Sequence, residues 1–169
     1  MSSYDYGKDF ISGWIRGRHK DGATCLDVGA GDGKWFNLIG SFMEMDAVEI
    51  FQPNIDWNHL KEKYRQVWCT DIDGFQYDWY DVIIFGDVIE HMDVEKAQRV
   101  IEYAKTRCSD LIIAVPFLYR QGEIYGNKWE KHLQEDLTPE LFERRYPGLK
   151  TLLRPIPGYA YYVKGEQND

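Results

Sequence analysis

The sequence predicts a single α/β domain in which a mostly parallel sheet carries helices on both faces. Its 169 residues amount to about one domain at roughly 150 residues per domain. Runs rich in β-branched and aromatic residues alternate with helix-like segments, as they do in right-handed β–α–β units. The runs at 80–85 and 110–115 are almost continuously apolar, which is typical of strands covered on both faces.

Five such runs predict the parallel strands, and the segments between them predict the crossover helices. The clearest helix spans 93–107, where apolar residues recur at three- and four-residue steps from Val94 to Ala104. Asp93 is placed to cap its first turn. The predicted strands are 24–29, 45–50, 66–70, 80–85 and 110–115, and the other predicted helices are 34–42 and 54–64.

The pattern changes in the last third of the chain. Residues 116–136 form a polar and aromatic loop, and a loop of this length inside a compact domain is uncommon unless it is functional. A short helix follows at 138–145, with Pro139 at its first position. Two final strands, 149–156 and 159–164, are joined so tightly that they predict an antiparallel pair.

The two ends of the chain complete one domain that spans 1–169. Residues 1–22 predict a helical cap, which either closes a ligand pocket or packs against the core. The tail at 165–169 is polar and is expected to fray. The aromatic residues of the cap are Tyr4, Tyr6, Phe10 and Trp14.

Composition and charge argue against several classes of protein. With 28 acidic and 20 basic side chains, the net charge of −8 disfavours nucleic acid as the main partner. We expect neither a membrane span nor a secretion signal, because apolar runs are short and the first twenty residues are charged throughout. The three cysteines, Cys25, Cys69 and Cys108, lack metal-site or C-x-x-C spacing. They predict reduced, mostly buried thiols in a cytoplasmic protein. The oligomeric state stays open between a monomer and a homodimer.

A glycine-rich turn joins the first predicted strand to the next helix. The segment 27–33 has the sequence DVGAGDG, whose glycines allow a ligand to approach the backbone and the helix N-terminus closely. Glu49 follows Asp27 by 22 positions, at the end of the second strand, where a carboxylate accepts both hydroxyls of a ribose. The turn and the acid together predict a nucleoside-type cofactor.

The spacing of the turn separates two cofactor classes. Dinucleotide sites use G-x-G-x-x-G, whereas the third glycine position here is occupied by Lys34. Asp27 and Asp32 are poor neighbours for a pyrophosphate but suit a cationic sulfonium with an α-amino group. A nicotinamide oxidoreductase is therefore the disfavoured alternative.

These residues resemble the class I S-adenosylmethionine-dependent methyltransferases. The first motif of the family is similar to 26–33, its fourth to 80–91 (YDVIIFGDVIEH), and a fifth-strand signal lies at 111–116. The resemblance covers about 20–165 and implies a Rossmann-like, seven-stranded sheet with the last strand inserted antiparallel, and S-adenosyl-L-methionine as cofactor. Together with the glycine turn and Glu49, the resemblance implies this set of cofactor-binding residues: Asp27, Gly29, Gly31, Gly33, Glu49, Ile50, Phe51, Asp71, Ile72 and Gly86.

A second resemblance lies in the long loop. The segment GNKWEKH at 126–132, followed by LTPELF at 137–142, is similar to segments of many small bacterial and phage methyltransferases of unassigned substrate. It implies a position over the carboxyl ends of the strands, where open α/β sheets bind ligands. The acceptor pocket implied by this resemblance contains Tyr125, Asn127, Trp129 and Glu130.

Methyl transfer from a sulfonium depends mainly on alignment and on a water-poor pocket. A base is needed only for a hydroxyl or a protonated amine, and its candidates are Asp87, His91 and His132. Plainer roles stay open: His91 as a structural residue, His132 as the cap of a turn, and Trp129 as an anchor of the loop.

A metal is a further alternative, because Asp87, Glu90 and His91 form a D-x-x-E-H triplet with His132 downstream. Such a set suits Mg²⁺, Mn²⁺ or Zn²⁺ and resembles the E-x-x-E-H site of the small-RNA 3′-terminal ribose methyltransferases. The first residue here is Asp instead of Glu, and the acidic balance does not suit RNA. We therefore expect no resident metal.

The sequence thus predicts a methyltransferase that acts on a small-molecule or sugar-like acceptor by O- or N-methylation. Two alternatives remain. One is a metal-dependent 3′-terminal ribose methyltransferase of RNA, and the other is a cofactor-binding, methyltransferase-like subunit without its own activity.

Overall fold

The computed structural model describes residues 5–165, which fold around one seven-stranded sheet. The strands are β1 (Ala23–Val28), β2 (Met43–Glu49), β3 (Gln66–Cys69), β4 (Tyr80–Gly86), β5 (Cys108–Pro116), β6 (Leu149–Ile156) and β7 (Tyr159–Lys164). The helices are α1 (Lys8–Arg18), α2 (Lys34–Ile39), α3 (Gln52–Trp57), α4 (Leu60–Lys63), α5 (Val94–Lys105) and α6 (Pro139–Arg145). Single 3₁₀ turns lie at Ile89–His91 and Lys128–Glu130.

The strand order is β3-β2-β1-β4-β5-β7-β6. The first five strands pair in parallel, and β7 lies antiparallel between β5 and β6. This confirms the predicted sheet and its inserted last strand. The order reverses between β1 and β4, and ligands of open α/β sheets bind at the carboxyl ends of the strands on either side of such a point.

Two apolar layers cover the two faces of the sheet, which confirms helices on both sides. One layer packs α5 and α6 against the sheet, through residues such as Ile101 and Phe142. The other packs α1 to α4, through residues such as Ile15, Trp35 and Leu60. The central strands are therefore buried on both faces, as their continuous apolar runs require.

The predicted helix 54–64 is wrong, because the structure divides it into α3 and α4. His59 has the left-handed φ of 52° at the break, which no continuous helix accommodates. Asn58 beside it donates hydrogen bonds to the carbonyls of Gly31 (3.1 Å) and Asn54 (3.0 Å). The break thus lets one side chain support the glycine turn. Helix α2 also ends at Ile39, three residues before the predicted end.

Two predicted helix starts are confirmed by their capping bonds. The Asp93 carboxylate accepts a hydrogen bond from the backbone N–H of Lys96 (2.8 Å). The Thr138 hydroxyl accepts one from the N–H of Leu141 (3.1 Å), with Pro139 at the first position of the helix. Both bonds satisfy N–H groups that the first turn of a helix leaves unpaired.

The N-terminal helix packs on the core through aliphatic residues, while two of its aromatic residues face solvent. Ile11 and Ile15 are fully buried, Trp14 packs at the edge of the core, and Tyr6 and Phe10 are about half exposed. The packing role of this segment is therefore carried by Ile11 and Ile15 with Trp14 beside them, and not by Tyr6 or Phe10. Tyr4 of the predicted group and residues 166–169 of the predicted tail lie outside the described part of the chain.

Two of the three cysteines are buried, as predicted. Cys25 and Cys108 are buried, Cys69 is exposed, and none of the three forms a disulfide within residues 5–165. In the same part of the chain, no helix combines the length and the apolar character that crossing a membrane requires.

Candidate active site

A pocket lies over the carboxyl ends of β1, β2 and β4, at the point where the strand order reverses. The glycine turn after β1 forms one wall, and the loop at 116–136 contributes residues to the opposite side. Of the predicted cofactor residues, those that line the pocket are Gly29, Gly31, Glu49, Ile50, Asp71, Ile72 and Gly86.

The glycine turn depends on backbone conformations that other residues rarely adopt. Gly29 has φ of 72°, and a Cβ added there would lie 2.5 Å from Cγ2 of Val88. Gly31 also has a positive φ, of 54°. Gly33 is different, since a Cβ there would meet Lys63 and Leu60 of α4 instead of the pocket. The third glycine therefore lies where the turn packs against α4, outside the pocket lining.

Glu49 is held rigidly at the end of β2. One carboxylate oxygen accepts the N–H of Gly31 (2.8 Å), and the other accepts the N–H of Phe51 (2.9 Å). Burial raises the pKa of Glu49, and these two N–H groups and a hydrogen bond from the Asn54 side chain oppose that rise. The carboxylate keeps lone-pair capacity for a ligand. Phe51 contributes its backbone here, and its ring packs on Trp57 (6.1 Å between centroids) outside the pocket lining.

Asp71 is bound to a residue that the sequence did not indicate. Its carboxylate accepts a hydrogen bond from Nζ of Lys96 (2.5 Å) and another from the N–H of Asp73 (3.0 Å). Lys96 lies in the first turn of α5, lines the pocket, and has its Nζ 5.9 Å from the ring of Trp129. This pair connects the wall formed by the end of β3 to the loop at 116–136.

Asp27, a predicted cofactor residue, lies outside the pocket lining. Its carboxylate is buried behind the glycine turn, accepts the hydroxyl hydrogen of Tyr64 (2.5 Å), and is not part of the pocket lining. Burial raises the pKa of Asp27 to about 7. Burial also lowers the pKa of Lys8 on α1 to about 8, against the attraction of Asp87 and Asp27. Asp27 therefore lies behind the residues that line the pocket.

Trp35 and Asp87 lie at the inner end of the pocket. The indole Nε1 of Trp35 is buried and has no hydrogen-bond acceptor among residues 5–165. Asp87 has the left-handed φ of 56° and donates its backbone N–H to the carbonyl of Ala114 (3.0 Å). A hydrogen bond between Asp87 and Tyr159 contributes to the raised pKa of that tyrosine, after burial and the charge of Asp87. The inner end thus offers a donor and a carboxylate.

Two histidines meet edge to face beside Asp87. The rings of His91 and His132 have centroids 4.7 Å apart and an interplanar angle of 81°. Nδ1 of His91 lies 3.2 Å from the carbonyl of Lys131, and Nδ1 of His132 lies 2.8 Å from that of Tyr119. Burial, with the neighbouring His132, lowers the pKa of His91 to about 4, and burial also lowers the pKa of His132. Both rings are therefore neutral near pH 7.

Of this pair only His91 lines the pocket, while His132 is 4% exposed and lies behind it. Glu90 is buried beside them at 1% exposure, and burial with the charge of Asp87 raises its pKa well above the ordinary value. The predicted catalytic residues Asp87 and His91 thus line the pocket. His132 does not line it, but its ring contacts the ring of His91.

The loop at 116–136 is held to the turn after β4. The N–H groups of Leu133 and Gln134 donate to the carbonyl of Glu90 (2.8 and 3.1 Å). Within the loop, Nε2 of Gln121 donates to the carbonyl of Glu130 (2.7 Å), a bond that the sequence did not indicate. This polar loop therefore forms a fixed border of the pocket.

Three of the four predicted acceptor residues face the pocket, and the fourth does not. Asn127, Trp129 and Glu130 are in the lining, and the Asn127 side chain accepts the N–H of Trp129 (3.0 Å). Tyr125 is 92% exposed and points to solvent, so its predicted contact with an acceptor is not found. Tyr125 lies in a turn and has a φ of 49°. The direction of a side chain in such a turn cannot be predicted from the sequence pattern.

Residues 8–130 match the model of a family described as a methyltransferase domain. Among solved structures, one from Clostridium acetobutylicum ATCC 824 is an S-adenosylmethionine-dependent methyltransferase. It is 15% identical, with a TM-score of 0.74, and the match covers 96% of this chain and 92% of that chain.

Two further structures show the same fold. The 1,6-didemethyltoxoflavin-N1-methyltransferase of Burkholderia thailandensis, with 1,6-didemethyltoxoflavin and S-adenosylhomocysteine bound, is 18% identical (TM-score 0.63; 95% and 77% of the two chains covered). The magnesium protoporphyrin IX methyltransferase of Synechocystis PCC 6803, with S-adenosylmethionine bound, is 16% identical (TM-score 0.61; 94% and 78% covered).

Proposed function

The chain belongs to the methyltransferase domain family, and from this premise we propose that it transfers a methyl group from S-adenosylmethionine to a small-molecule acceptor, by O- or N-methylation. The observation that carries the proposal is the fixed carboxylate of Glu49 facing a pocket walled by the glycine turn. The two neighbours whose ligands are named above act on small organic molecules, which supports the acceptor class.

The donor groups of the pocket fit the parts of this cofactor. Glu49 would accept the ribose hydroxyls with the lone pairs that its two backbone bonds leave over. Ile50 and Ile72 line the adjoining wall and would cover the adenine faces. The buried, unpaired Nε1 of Trp35 is a hydrogen-bond donor suited to the α-carboxylate. Asp87 supplies negative charge for the cationic amino acid end.

The cofactor supplies the methyl group as part of a sulfonium. As the bond from carbon to sulfur breaks, its electron pair stays on sulfur, and a lone pair of the acceptor forms the new bond to carbon. A hydroxyl or protonated amine must also release one proton. The chain contributes mainly by holding the acceptor in line and excluding water, through Trp129 and Asn127 at the border of the pocket.

The proton is received by Asp87 or by His91, the two predicted bases that line the pocket. His91 is neutral near pH 7, and the hydrogen bond from its Nδ1 to the Lys131 carbonyl leaves Nε2 with a lone pair. His132 contacts the His91 ring and not the pocket, so we assign it a positioning role.

Calorimetric titration with S-adenosylhomocysteine tests cofactor binding. We expect binding of this ligand and none of NAD. Replacing Glu49 with Ala removes two charge-assisted ribose bonds and should weaken binding by about 1–3 kcal/mol. Glu44→Ala is the matched control, because Glu44 lies in the same strand, is exposed, and pairs with Arg65. Equal affinity of the two variants would contradict the role of Glu49.

Turnover is measured as formation of S-adenosylhomocysteine with a panel of hydroxylated and nitrogen-containing small molecules. We expect activity with members of this panel. Tight cofactor binding without turnover on any acceptor would instead support a subunit without its own activity. Turnover only on RNA with a free 3′ end would support the ribose methyltransferase alternative.

A further inference from the structure

Three metal-ligating side chains from two separate segments converge beside the pocket. Glu90 and His91 lie in the 3₁₀ turn after β4, and His132 lies in the loop at 116–136. One ligand atom from each residue lies within 4.8 Å of the others. The backbone bonds from 133 and 134 to the Glu90 carbonyl hold the two segments together.

The tautomers of both histidines are fixed in the form that binds a metal. Each Nδ1 faces a backbone carbonyl, that of Lys131 for His91 and that of Tyr119 for His132. A carbonyl only accepts hydrogen bonds, so each Nδ1 carries the hydrogen and each neutral ring presents a lone pair at Nε2. Histidine ligands of metal ions typically donate their second N–H in this way.

Glu90 supplies a second, independent observation. It is 1% exposed, and neither carboxylate oxygen accepts a hydrogen bond from another residue in the range 5–165. Nε2 of His91 lies 3.9 Å from Oε1. Buried carboxylates are normally paired, hydrogen-bonded or bound to a metal, and within the described residues this one has only the neutral His91 ring beside it.

We propose that Glu90, His91 and His132 bind one divalent transition-metal ion. Two imidazole nitrogens and one carboxylate oxygen are a ligand set for Zn²⁺, and for Fe²⁺ or Mn²⁺. The metal satisfies the carboxylate and both lone pairs at once. Nε2 of His91 is then bound to the ion, so Asp87, which lines the pocket, is the base that receives the proton. Asp87, the first member of the D-x-x-E-H triplet, is not in the cluster, since it faces the pocket and hydrogen-bonds to Tyr159.

Because the cluster lies beside the pocket, we assign the metal a role in methyl transfer. This assignment rests on the proposed function. His91 lines the pocket while Glu90 and His132 lie behind it, so an ion held by these three residues would adjoin the acceptor side of the pocket. A metal held there would bind an acceptor hydroxyl and lower its pKa. The acceptor class is therefore a small molecule that carries a hydroxyl group as metal ligand.

The test is direct metal binding by the chain after treatment with a chelator. Titration with Zn²⁺ by calorimetry, and with Co²⁺ by visible absorption, should show one ion per chain. Glu90→Gln, His91→Asn and His132→Asn should each weaken Zn²⁺ binding at least about tenfold. Asparagine retains an N–H for the backbone carbonyl but has no second ring nitrogen. His59→Asn is the control, because His59 is exposed and distant in the fold.

Absence of stoichiometric Zn²⁺ binding by the wild-type chain overturns the proposal, as does equal binding by the folded variants. Circular dichroism establishes which variants fold, and the isosteric Glu90→Gln carries the test if a histidine variant does not. Titration with S-adenosylhomocysteine on the same samples separates the two proposals. Cofactor binding without Zn²⁺ binding defeats the metal site alone, and Zn²⁺ binding without cofactor binding defeats the proposed function.

Discussion

The pocket has two sides that treat buried charge in opposite ways. On the side of β1 and β2, the Glu49 carboxylate accepts one backbone N–H on each oxygen and is satisfied before any ligand binds. On the side of β4 and the loop, the more deeply buried Glu90 carboxylate has no donor among residues 5–165. The first side is preorganised for binding, whereas the second keeps polar groups whose partner is a ligand. The Glu49 side therefore suits recognition of the cofactor, and the Glu90 side suits the chemical step.

The largest effect is expected from Gly29→Ala, which damages the preorganised side at its backbone. The added Cβ would lie 2.5 Å from Cγ2 of Val88, at a φ of 72°, so the turn must move. A displacement of about 1 Å can cost about 100-fold in rate, and we expect a loss of that order in the rate of methyl transfer, measured as formation of S-adenosylhomocysteine. Gly13→Ala in α1 is the control, since nothing lies within 4 Å of its Cβ. Alanine there should stabilise the helix by about 0.5–1 kcal/mol.

The same substitution on the two sides tests the comparison directly. Glu49→Gln places an amide N–H₂ against a backbone donor, so it should weaken cofactor binding about tenfold and lower the free energy of unfolding by about 1–2 kcal/mol. Glu90→Gln removes a buried carboxylate that has no donor. In chelator-treated protein, it should raise the free energy of unfolding by about 1 kcal/mol. Urea unfolding measures both changes, and a similar loss in both variants would refute the contrast.

A third test uses pH and the buried acid behind the preorganised side. Burial raises the pKa of Asp27 from 3.8 to about 7, so between these values the folded chain binds a proton that the unfolded chain has lost. Stability therefore falls as pH rises through this window. We expect a loss of about 2 kcal/mol between pH 5 and pH 7 from this group, at 1.36 kcal/mol per pKa unit.

Asp27→Asn should flatten this slope, because its side-chain carbonyl still accepts the Tyr64 hydroxyl and does not titrate. Urea unfolding at pH 5, 6 and 7 measures the slope. Asp21→Asn is the matched control, since that side chain is 82% exposed, and it should leave the slope unchanged. An unaltered slope in Asp27→Asn would show that the carboxyl group is not responsible.

The fold and the preorganised side could be predicted because their signals are local in the sequence. The glycine turn is seven consecutive residues, and Glu49 terminates a strand whose apolar run is visible on its own. The face of the sheet on which the Asp27 side chain lies could also be predicted from the strand. Side chains alternate along a strand, and Asp27 shares the face of Cys25, which packs in the layer beneath α1 to α4. Its spacing from Cys25 therefore indicated that the Asp27 side chain lies on the face of β1 covered by α1 to α4.

The remaining features depend on contacts between distant parts of the chain. The Lys96–Asp71 pair spans 25 positions and the Asn58 bond to Gly31 spans 27, and no local pattern specifies either one. The break between α3 and α4 falls at His59, which is not a helix-breaking residue type, so its position could not be predicted from the sequence. The convergence of His132 with Glu90 and His91 is also a product of the loop fold. Sequence spacing suggested the set of residues but could not exclude Asp87 from it.

The smallest effect separates two aromatic residues of the loop. Tyr125 is 92% exposed and Trp129 lines the pocket within 5.9 Å of Nζ of Lys96. Tyr125→Ala should therefore change the free energy of unfolding by less than about 0.5 kcal/mol and leave both kcat and KM for the acceptor unchanged. Trp129→Ala removes pocket surface and should raise KM several-fold. If Tyr125→Ala raised KM as much as Trp129→Ala, the acceptor would have to extend over the outer face of the loop, and the border of the pocket would lie further from the histidine pair than the lining residues place it.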